Sequence, residues 1–203
     1  MERTTADLPA AASPATPAAH AVAPPTSRTR EHVTAALLAA LLAASAWIAV
    51  PLGGGVPLTF QTFIVVLAGL VLSPRAAGTA IGVYLLLGAA GVPVFAGARG
   101  GLGVLAGPTG GYLWGFLAAA VLIAVLRTVF GRRTSRRFAE ALACGWGVLV
   151  IYALGWAQLG VVTGMGPAEA FVAGVAPFIA LDAIKAAVAL GVVRALRRAG
   201  VVI

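Results

Sequence analysis

The chain is poor in charged residues: 10% of its 203 residues are Asp, Glu, Lys or Arg, whereas 61% are hydrophobic. Soluble domains carry about 25% charged residues, so this composition predicts a membrane protein. There is one cysteine, Cys144, which excludes a disulfide within the chain and a cysteine-rich metal site. The two histidines, His20 and His32, lie outside the apolar segments and lack neighbouring ligands, so we expect no metal site.

Known catalytic and nucleotide-binding motifs are also missing. The pattern Gly-x-x-x-x-Gly-Lys-Ser/Thr does not occur, so the chain does not hydrolyse ATP through a P-loop. It contains no HExxH motif, no Ser–His–Asp set and no cofactor fingerprint. We therefore expect no catalytic residues, no cofactor and a function that is not enzymatic. The net charge of +8 would suit a nucleic-acid binder, but the arginines lie between apolar segments, so we expect no nucleic-acid partner.

Six apolar segments follow a polar N-terminal region. Residues 1–31 are rich in Pro, Ala and Thr and contain almost no large apolar side chains, which predicts a disordered cytoplasmic tail. Residues 32–203 are predicted to form an all-α integral membrane domain with six transmembrane helices. Some of the predicted spans are shorter than the 20 or so residues that usually cross the hydrocarbon core. The spans are residues 33–50, 59–73, 76–91, 110–130, 138–162 and 169–193.

The distribution of Arg and Lys predicts the orientation of these spans. If the N-terminus lies inside, twelve of the fourteen Lys and Arg residues fall in inner segments. Arg99 alone lies in an outer segment, and Lys185 lies within a span. Positive residues are retained on the inner side, so the asymmetry predicts a multi-pass protein of the cell membrane with both termini inside (N-in, C-in). Five or seven spans would scatter these charges over both sides.

The single lysine of the chain, Lys185, lies in the most informative setting. A lysine at the centre of a membrane helix costs roughly 2.5–3.5 kcal/mol on insertion scales. Asp182 lies three residues earlier, on the same helical face. One interpretation is a structural ion pair that neutralises the helix for insertion; the other, which we favour, is a ligand site facing the bundle interior. The pair is net neutral and offers both donors and acceptors, so a ligand with a carbonyl and N–H groups would suit it.

Three predicted outer loops, at residues 51–58, 92–109 and 163–168, are rich in Gly and Pro. The second has eighteen residues, which is long for a passive connection between adjacent helices. Irregular backbone near a membrane is tolerated where protein or a water-filled cavity satisfies it. The loops therefore suit a lid over a binding site.

Polar and aromatic residues near these loops are further candidates. Thr59 and Gln61 begin the second span, where ligand contact and helix capping are equally compatible with the sequence. Tyr84 and Tyr112 either belong to an interfacial aromatic belt or stack on a ring-shaped ligand. Gln158, on the fifth span, is interpreted as a residue of that belt.

The first span carries small residues at four-residue steps. They form two rows: Ala35, Ala39 and Ala43, and Ala36, Ala40 and Ala44. Small residues at this spacing let two helices approach closely. The rows serve either packing within the bundle or docking of a partner membrane subunit, and the sequence leaves both open.

Four sequence blocks occur in an order typical of one family. They are Val56-Pro-Leu-Thr-Phe-Gln-Thr62, Tyr84-Leu-Leu-Leu-Gly-Ala-Ala-Gly-Val-Pro-Val-Phe95, Gly107-Pro-Thr-Gly-Gly-Tyr-Leu-Trp-Gly-Phe116 and Pro177-Phe-x-x-x-Asp182-x-x-Lys185. On these blocks, residues 33–198 resemble BioY, the biotin-binding substrate-specificity (S) component of energy-coupling factor (ECF) vitamin transporters. The block at residues 107–116 combined with the Asp/Lys pair is the most specific part of the resemblance.

The resemblance implies capture of biotin from outside with high affinity, energised by a separate membrane T component and two cytoplasmic ATPases. It implies that Asp182 and Lys185 bind the ligand and that Ala36 and Ala40 contact the partner subunit. The remaining candidate substrate-binding residues are Thr59, Gln61, Tyr84, Gly107, Thr109 and Tyr112. Two alternatives stay open: a homo-oligomer that works without the other subunits, and a self-sufficient carrier or channel that uses the Asp/Lys pair as a relay.

Biotin matches the chemistry of the predicted site. Its ureido ring has two N–H donors and a carbonyl, which suit a carboxylate beside an ammonium group. Its fused rings suit an apolar pocket flanked by aromatic side chains. We hypothesise that its valerate carboxylate lies at the outer loops, where Arg99 is the outward cation.

Overall fold

The computed structural model describes residues 27–52 and 55–200, and within them the fold consists of eight α-helices, one 3-10 turn and one short β-hairpin. The helices are α1 Ser27–Ser45, α2 Gln61–Val71, α3 Pro74–Ala89, α4 Leu102–Ala106, α5 Gly110–Gly131, α6 Arg136–Thr163, α7 Pro167–Gly174 and α8 Ile179–Arg198. The hairpin pairs β1 (Ala49–Pro51) with β2 (Pro57–Thr59) in antiparallel register. Residues 1–26, most of the predicted tail, lie outside the described residues; α1 begins at Ser27, so residues 27–31 are helical rather than part of the tail.

The helices pack as a bundle around the pair formed by α5 and α6. α2 and α3 pack on α5, α1 packs on α3 and α2, and α8 packs mainly on α2. Leu42, Val65, Ile81 and Ile123 are fully buried and belong to one hydrophobic core. At Gly69 of α2 a Cβ atom would collide with Ile123 of α5, so glycine at this position permits the close approach of the two helices.

One end of the bundle, which we call the basic end, gathers most of its charged side chains. Arg127 of α5 donates to the backbone carbonyls of Gly69 and Leu72, at the end of α2. Arg197 of α8 donates to the buried Glu140 of α6 at 2.6 Å. The end of α2, the end of α5, the start of α6 and the end of α8 therefore meet at the same place.

The start of α1 also lies at the basic end. The Ser73 N–H, between α2 and α3, donates to the Glu31 carboxylate at 2.9 Å. This hydrogen bond lowers the pKa of the Glu31 carboxyl. The opposite end, which we call the loop end, contains the hairpin and the connection between α3 and α5. There the Gly97 N–H donates to the Ala46 carbonyl just after α1, at 3.0 Å.

The first and sixth predicted spans differ from the observed helices. α1 ends at Ser45, five residues before the predicted end, and the chain continues into β1. The sixth span is divided, because α7 ends at Gly174, a 3-10 turn covers Ala176–Phe178 and α8 begins after it. Pro177 accounts for the break, since proline lacks the N–H and its ring clashes with the preceding turn of an α-helix.

Three helical stretches among the described residues are long and apolar enough to cross a membrane. They are α5, α6 and the stretch from Pro167 to Arg198 that comprises α7 and α8. α2 is apolar but has only 11 residues. The prediction of a helical fold is therefore confirmed, with three stretches long and apolar enough to cross a membrane. The hairpin was not indicated by the sequence.

Candidate ligand-binding site

A largely apolar cavity lies near the loop end, enclosed by the hairpin, α2, α5, α6, α8 and the loop between α3 and α5. It brings together residues that are far apart in the sequence. Its lining consists of Val56, Pro57, Thr59, Gln61, Thr62, Phe95, Ala96, Arg99, Val104, Thr109, Tyr112, Leu113, Phe116, Ile151, Tyr152, Phe178, Asp182 and Lys185.

Asp182 and Lys185 form the charged part of this lining. The Lys185 ammonium donates to Asp182 Oδ1 at 2.8 Å and to the Thr59 backbone carbonyl at 2.7 Å. The two side chains are 13% and 5% exposed, for Lys185 and Asp182 respectively. A lysine ammonium has three N–H donors, so one of them has no partner among the described residues. Lys185 lines the cavity, so the pair offers a donor to a ligand there at no net charge.

The break before α8 determines where this pair lies. Asp182 is in the first turn of α8, and Lys185 follows in the second turn, rather than at the middle of a continuous membrane helix as the sequence predicted. A carboxylate near a helix N-terminus is favoured by the helix dipole. Irregular backbone within a membrane protein is tolerated where it lines a cavity. The 3-10 turn meets this condition, because its Phe178 is part of the cavity lining.

Tyr152 of α6 is a lining residue that the sequence analysis missed. Its hydroxyl donates to Asp182 Oδ2 at 2.7 Å, so each oxygen of the carboxylate accepts one hydrogen bond. Tyr152 lies thirty residues before Asp182, on another helix, and a tyrosine within an apolar span carries no spacing signal that links it to a site.

Gln61 lies at the start of α2 and is buried in the lining. Its side-chain amide donates to the Tyr84 hydroxyl at 2.6 Å. Tyr84 is itself 1% exposed and packs edge-on against Phe95, behind the lining rather than in it. Tyr84, a predicted ligand contact, therefore lies outside the cavity lining. Its hydroxyl accepts a hydrogen bond from Gln61, which does line the cavity.

The connection between α4 and α5 is attached to α6 by one side chain. The Gln158 amide donates to the carbonyls of Leu105 and Gly107, both at 2.8 Å. Gly107 therefore supports the loop through its backbone and lies outside the cavity lining, whereas Thr109 lies within it. Gln158, interpreted from the sequence as a belt residue, instead holds this loop in place.

Tyr112 of α5 lines the cavity and also links α5 to the interrupted span. Its hydroxyl donates to the Gly174 carbonyl, at the last residue of α7, at 2.7 Å. Its ring packs against Gly155 of α6, where a Cβ atom would collide with it. These contacts hold the ring within the lining.

Arg99 is the cation at the loop end of the cavity. Its Nε donates to the Ala96 carbonyl at 3.1 Å, and the side chain is exposed. The backbone of Arg99 pairs with that of Phe95, which closes a short loop over the cavity. An anionic group of a ligand that enters from this end would meet Arg99 first.

The two alanine rows of α1 face different surroundings. Ala35 is buried in the core, and Ala39 and Ala43 are partly buried against it. The other row is exposed and consists of Ala36, Ala40 and Ala44. The first row therefore packs within the bundle, and the second row is the one available to another membrane subunit.

The fold and the cavity together define a helical membrane protein with a candidate binding site for a small molecule. Apolar and aromatic walls with a few convergent polar groups are typical of such sites. The described side chains of the lining include a carboxylate–ammonium pair, an amide and an exposed guanidinium. This set can bind a compact ring compound that carries polar groups and an anionic tail.

Comparisons with known proteins assign the chain to a family. The model of the BioY family matches residues 16–201. The probable biotin transporter BioY of Pyrococcus horikoshii is 42% identical over 163 residues, which cover 80% of this chain and 93% of that protein. The biotin transporter BioY of Thermotoga maritima is 42% identical over 161 residues, which cover 79% and 91% of the two chains.

A solved structure is also similar in fold. The crystal structure of the S-component for biotin from an ECF-type ABC transporter aligns with a TM-score of 0.77 and 26% identity, over 84% of this chain and 92% of that chain. The protein described here belongs to the BioY family.

Proposed function

We propose that this protein binds biotin in the cavity and serves in biotin uptake as the S component of an ECF-type transporter. The observation that carries the proposal is the largely buried Asp182–Lys185 pair, which lines a small cavity and whose ammonium has two of its three donors used by described residues. The relatives named as biotin transporters and the similar S-component for biotin support the same substrate. The protein acts as a transporter component rather than as an enzyme.

The polar groups of the site suit the ureido ring of biotin. A ureido carbonyl accepts from Lys185, and ureido N–H groups donate to Asp182, whose oxygens can each accept more than one hydrogen bond. Tyr112, Phe116 and Phe178 provide apolar and aromatic surface for the fused rings. The neutral ligand head then enters the site without burying an unpaired charge.

The valerate carboxylate is placed at the loop end, against Arg99. This orientation keeps the charged tail near the exposed mouth of the cavity and the neutral ring in its interior. A surface guanidinium contributes less than a buried pair because solvent screens it. Arg99 is therefore the secondary contact and Lys185 the primary one.

The proposed topology has six membrane spans with both termini inside, in the cell membrane. The start of α1 and the ends of α2, α5 and α8 meet the start of α6 at the basic end, which contains most of the arginines. The cavity lies at the opposite end. Positive residues are retained on the cytoplasmic side, so the cavity opens outward. Biotin is then captured from outside.

The proposed partners are a membrane T component and two cytoplasmic ATPases. The exposed row of Ala36 and Ala40 on α1 is the proposed contact with the T component, because small residues let a partner helix approach closely. Uptake that persists in cells without these subunits would favour a self-sufficient or homo-oligomeric carrier instead.

The proposal is tested by biotin titration of two substitution variants. Lys185→Ala removes the free donor and leaves Asp182 as an uncompensated buried charge, so we expect binding to be lost. Arg99→Ala removes the exposed cation, and we expect affinity to fall about three- to tenfold. If Lys185→Ala folds and binds biotin as tightly as the wild type, the proposed site is wrong; if Arg99→Ala has unchanged affinity, Arg99 is a loop residue.

A further inference from the structure

A second concave surface, which we call the α6/α8 groove, lies between those two helices on the outside of the bundle. Its walls are apolar and include Val148, Leu149 and Leu190. Along α6 it extends from Ala141 to Trp156, which is about 22 Å at 1.5 Å per residue. One leaflet of a bilayer contributes about 15 Å of hydrocarbon, half of the usual 30 Å, so the groove is long enough for an acyl chain.

An arginine follows the lining of this groove on both helices. On α6 it contains Ala153, Leu149, Gly145 and Ala141 at four-residue steps, and the next step reaches Arg137. On α8 it contains Asp182, Ala186 and Leu190 at the same step, and the next step reaches Arg194. Both arginines lie at the basic end, where Glu140 of α6 contacts Arg197 of α8.

Neither of these two arginines has a side-chain partner among the described residues. Arg136 and Arg197 pair with Glu140, and Arg127 binds backbone carbonyls. Arg137 and Arg194 form no ion pair or hydrogen bond with any described residue. The Nε atoms of Arg194 and Arg197 are both buried without an acceptor among the described residues. The other guanidinium N–H groups of Arg137 and Arg194 have no acceptor among the described residues and can donate to an anionic group.

We propose that the α6/α8 groove binds an anionic phospholipid from the leaflet at the basic end. The lipid phosphate contacts Arg137 and Arg194, since guanidinium groups bind phosphate with directed, charge-assisted hydrogen bonds. One acyl chain lies between α6 and α8 against the apolar walls. Basic pockets between membrane helices are known to recognise anionic headgroups in this manner. The inference requires only that the chain lies in a membrane, so it does not depend on biotin as the substrate.

Two double variants with equal loss of charge test the headgroup contact. R137Q/R194Q removes the groove arginines, and R132Q/R133Q removes two exposed arginines between α5 and α6, outside the groove. Native mass spectrometry counts lipids retained from mixed vesicles of phosphatidylglycerol and phosphatidylcholine. We expect the wild type and R132Q/R133Q to retain more phosphatidylglycerol than phosphatidylcholine. In R137Q/R194Q we expect the ratio of the two retained lipids to fall about tenfold. Equal loss in both variants, or no loss in either, overturns the proposal.

A third variant tests the acyl-chain contact with the arginines intact. A Cβ atom at Gly145 has open space around it, so Gly145→Leu fits the helix and fills the groove. We expect phosphatidylglycerol retention to fall in this variant while its thermal unfolding temperature is unchanged. Unchanged retention, or competition by inorganic phosphate as effective as that by lipid, contradicts a lipid in the groove. Dimers that replace bound lipid in the wild-type spectra would also contradict it, because a second copy would then fill the surface.

Discussion

At the scale of single residues, Asp182 is held by two donors on different elements. Lys185 lies one turn away on α8, and Tyr152 reaches it from α6. Lys185 is in turn held by the Thr59 carbonyl at the end of the hairpin. The donors and acceptors are therefore oriented before a ligand arrives, which reduces the ordering cost of binding.

The Tyr152 contact gives the first prediction. Tyr152→Phe removes the hydroxyl that donates to Asp182 and keeps the ring in the cavity wall. Hydrogen bonds to charged groups contribute about 1.5–3 kcal/mol, so we expect biotin affinity to fall at least tenfold in equilibrium binding. Trp156→Phe, one turn further along α6, removes a hydrogen bond to the Pro167 carbonyl outside the cavity and is the matched control. Unchanged affinity in Tyr152→Phe would show that Lys185 alone positions the carboxylate.

The sequence identifies the charged pair of the site but only part of its surroundings. Asp182 and Lys185 are recognisable because a three-residue step on an apolar helix brings them together. Tyr152 and Phe178 enter the lining through tertiary packing, which no local spacing encodes. For the same reason the sequence could not show that Tyr84 lies behind Gln61 instead of facing the cavity.

At the scale of secondary-structure elements, the alanine-rich helix α1 has one face that packs in the bundle and another face that is exposed. Ala35 and Leu38 are buried against the neighbouring helices, whereas Ala36 and Ala40 are exposed. Adjacent positions of the same residue type therefore have different surroundings. This provides a direct comparison for the proposed partner surface.

Two leucine substitutions in α1 make the second prediction. Ala35→Leu overpacks the core, which typically costs 1–3 kcal/mol, so we expect a lower thermal unfolding temperature. Ala36→Leu adds volume to the exposed row, so we expect unchanged stability and biotin binding but reduced co-purification with the T component and ATPases. An Ala36→Leu protein that assembles with them as well as the wild type would exclude this row as the contact.

The boundaries of the elements were predictable only where the apolar pattern is long. α5 and α6 match their predicted spans within two residues, because each span is a predominantly apolar run of more than twenty residues. The sequence predicted the end of the first span and an outer loop where the hairpin lies. Strands of three residues are too short to show an alternating pattern of apolar and polar residues. The break before α8 had a local signal in Pro177, but the apolar run continues through it.

At the scale of the whole molecule, Glu140 of α6 links α6 to α8 at the basic end. Its carboxylate accepts from Arg136 at 3.2 Å and from Arg197 at 2.6 Å, while Arg127 and Arg197 also donate to carbonyls near the end of α2. The Glu140 side chain is 3% exposed. The distribution of Arg and Lys indicates the orientation of the spans but not a carboxylate buried among them, so the sequence did not point to Glu140.

The third prediction concerns this carboxylate. Glu140→Gln leaves Arg197 partly buried without a counter-charge, and breaking a buried pair in this way costs about 3–5 kcal/mol. We expect a clearly lower thermal unfolding temperature in detergent. Glu169→Gln, at an exposed position of α7, removes the same charge and should leave the unfolding temperature within about a degree of the wild type. Equal stability of the two variants would show that the Glu140 network does not hold the basic end together.

The central claim is that the cavity at the loop end binds biotin. The most direct measurement is equilibrium binding of labelled biotin to the purified protein, with competition by unlabelled biotin, thiamine and riboflavin. We predict saturable binding of one biotin per chain that unlabelled biotin displaces and the other two vitamins do not. Absence of saturable biotin binding by folded protein, or displacement by thiamine or riboflavin at similar concentrations, would contradict the account.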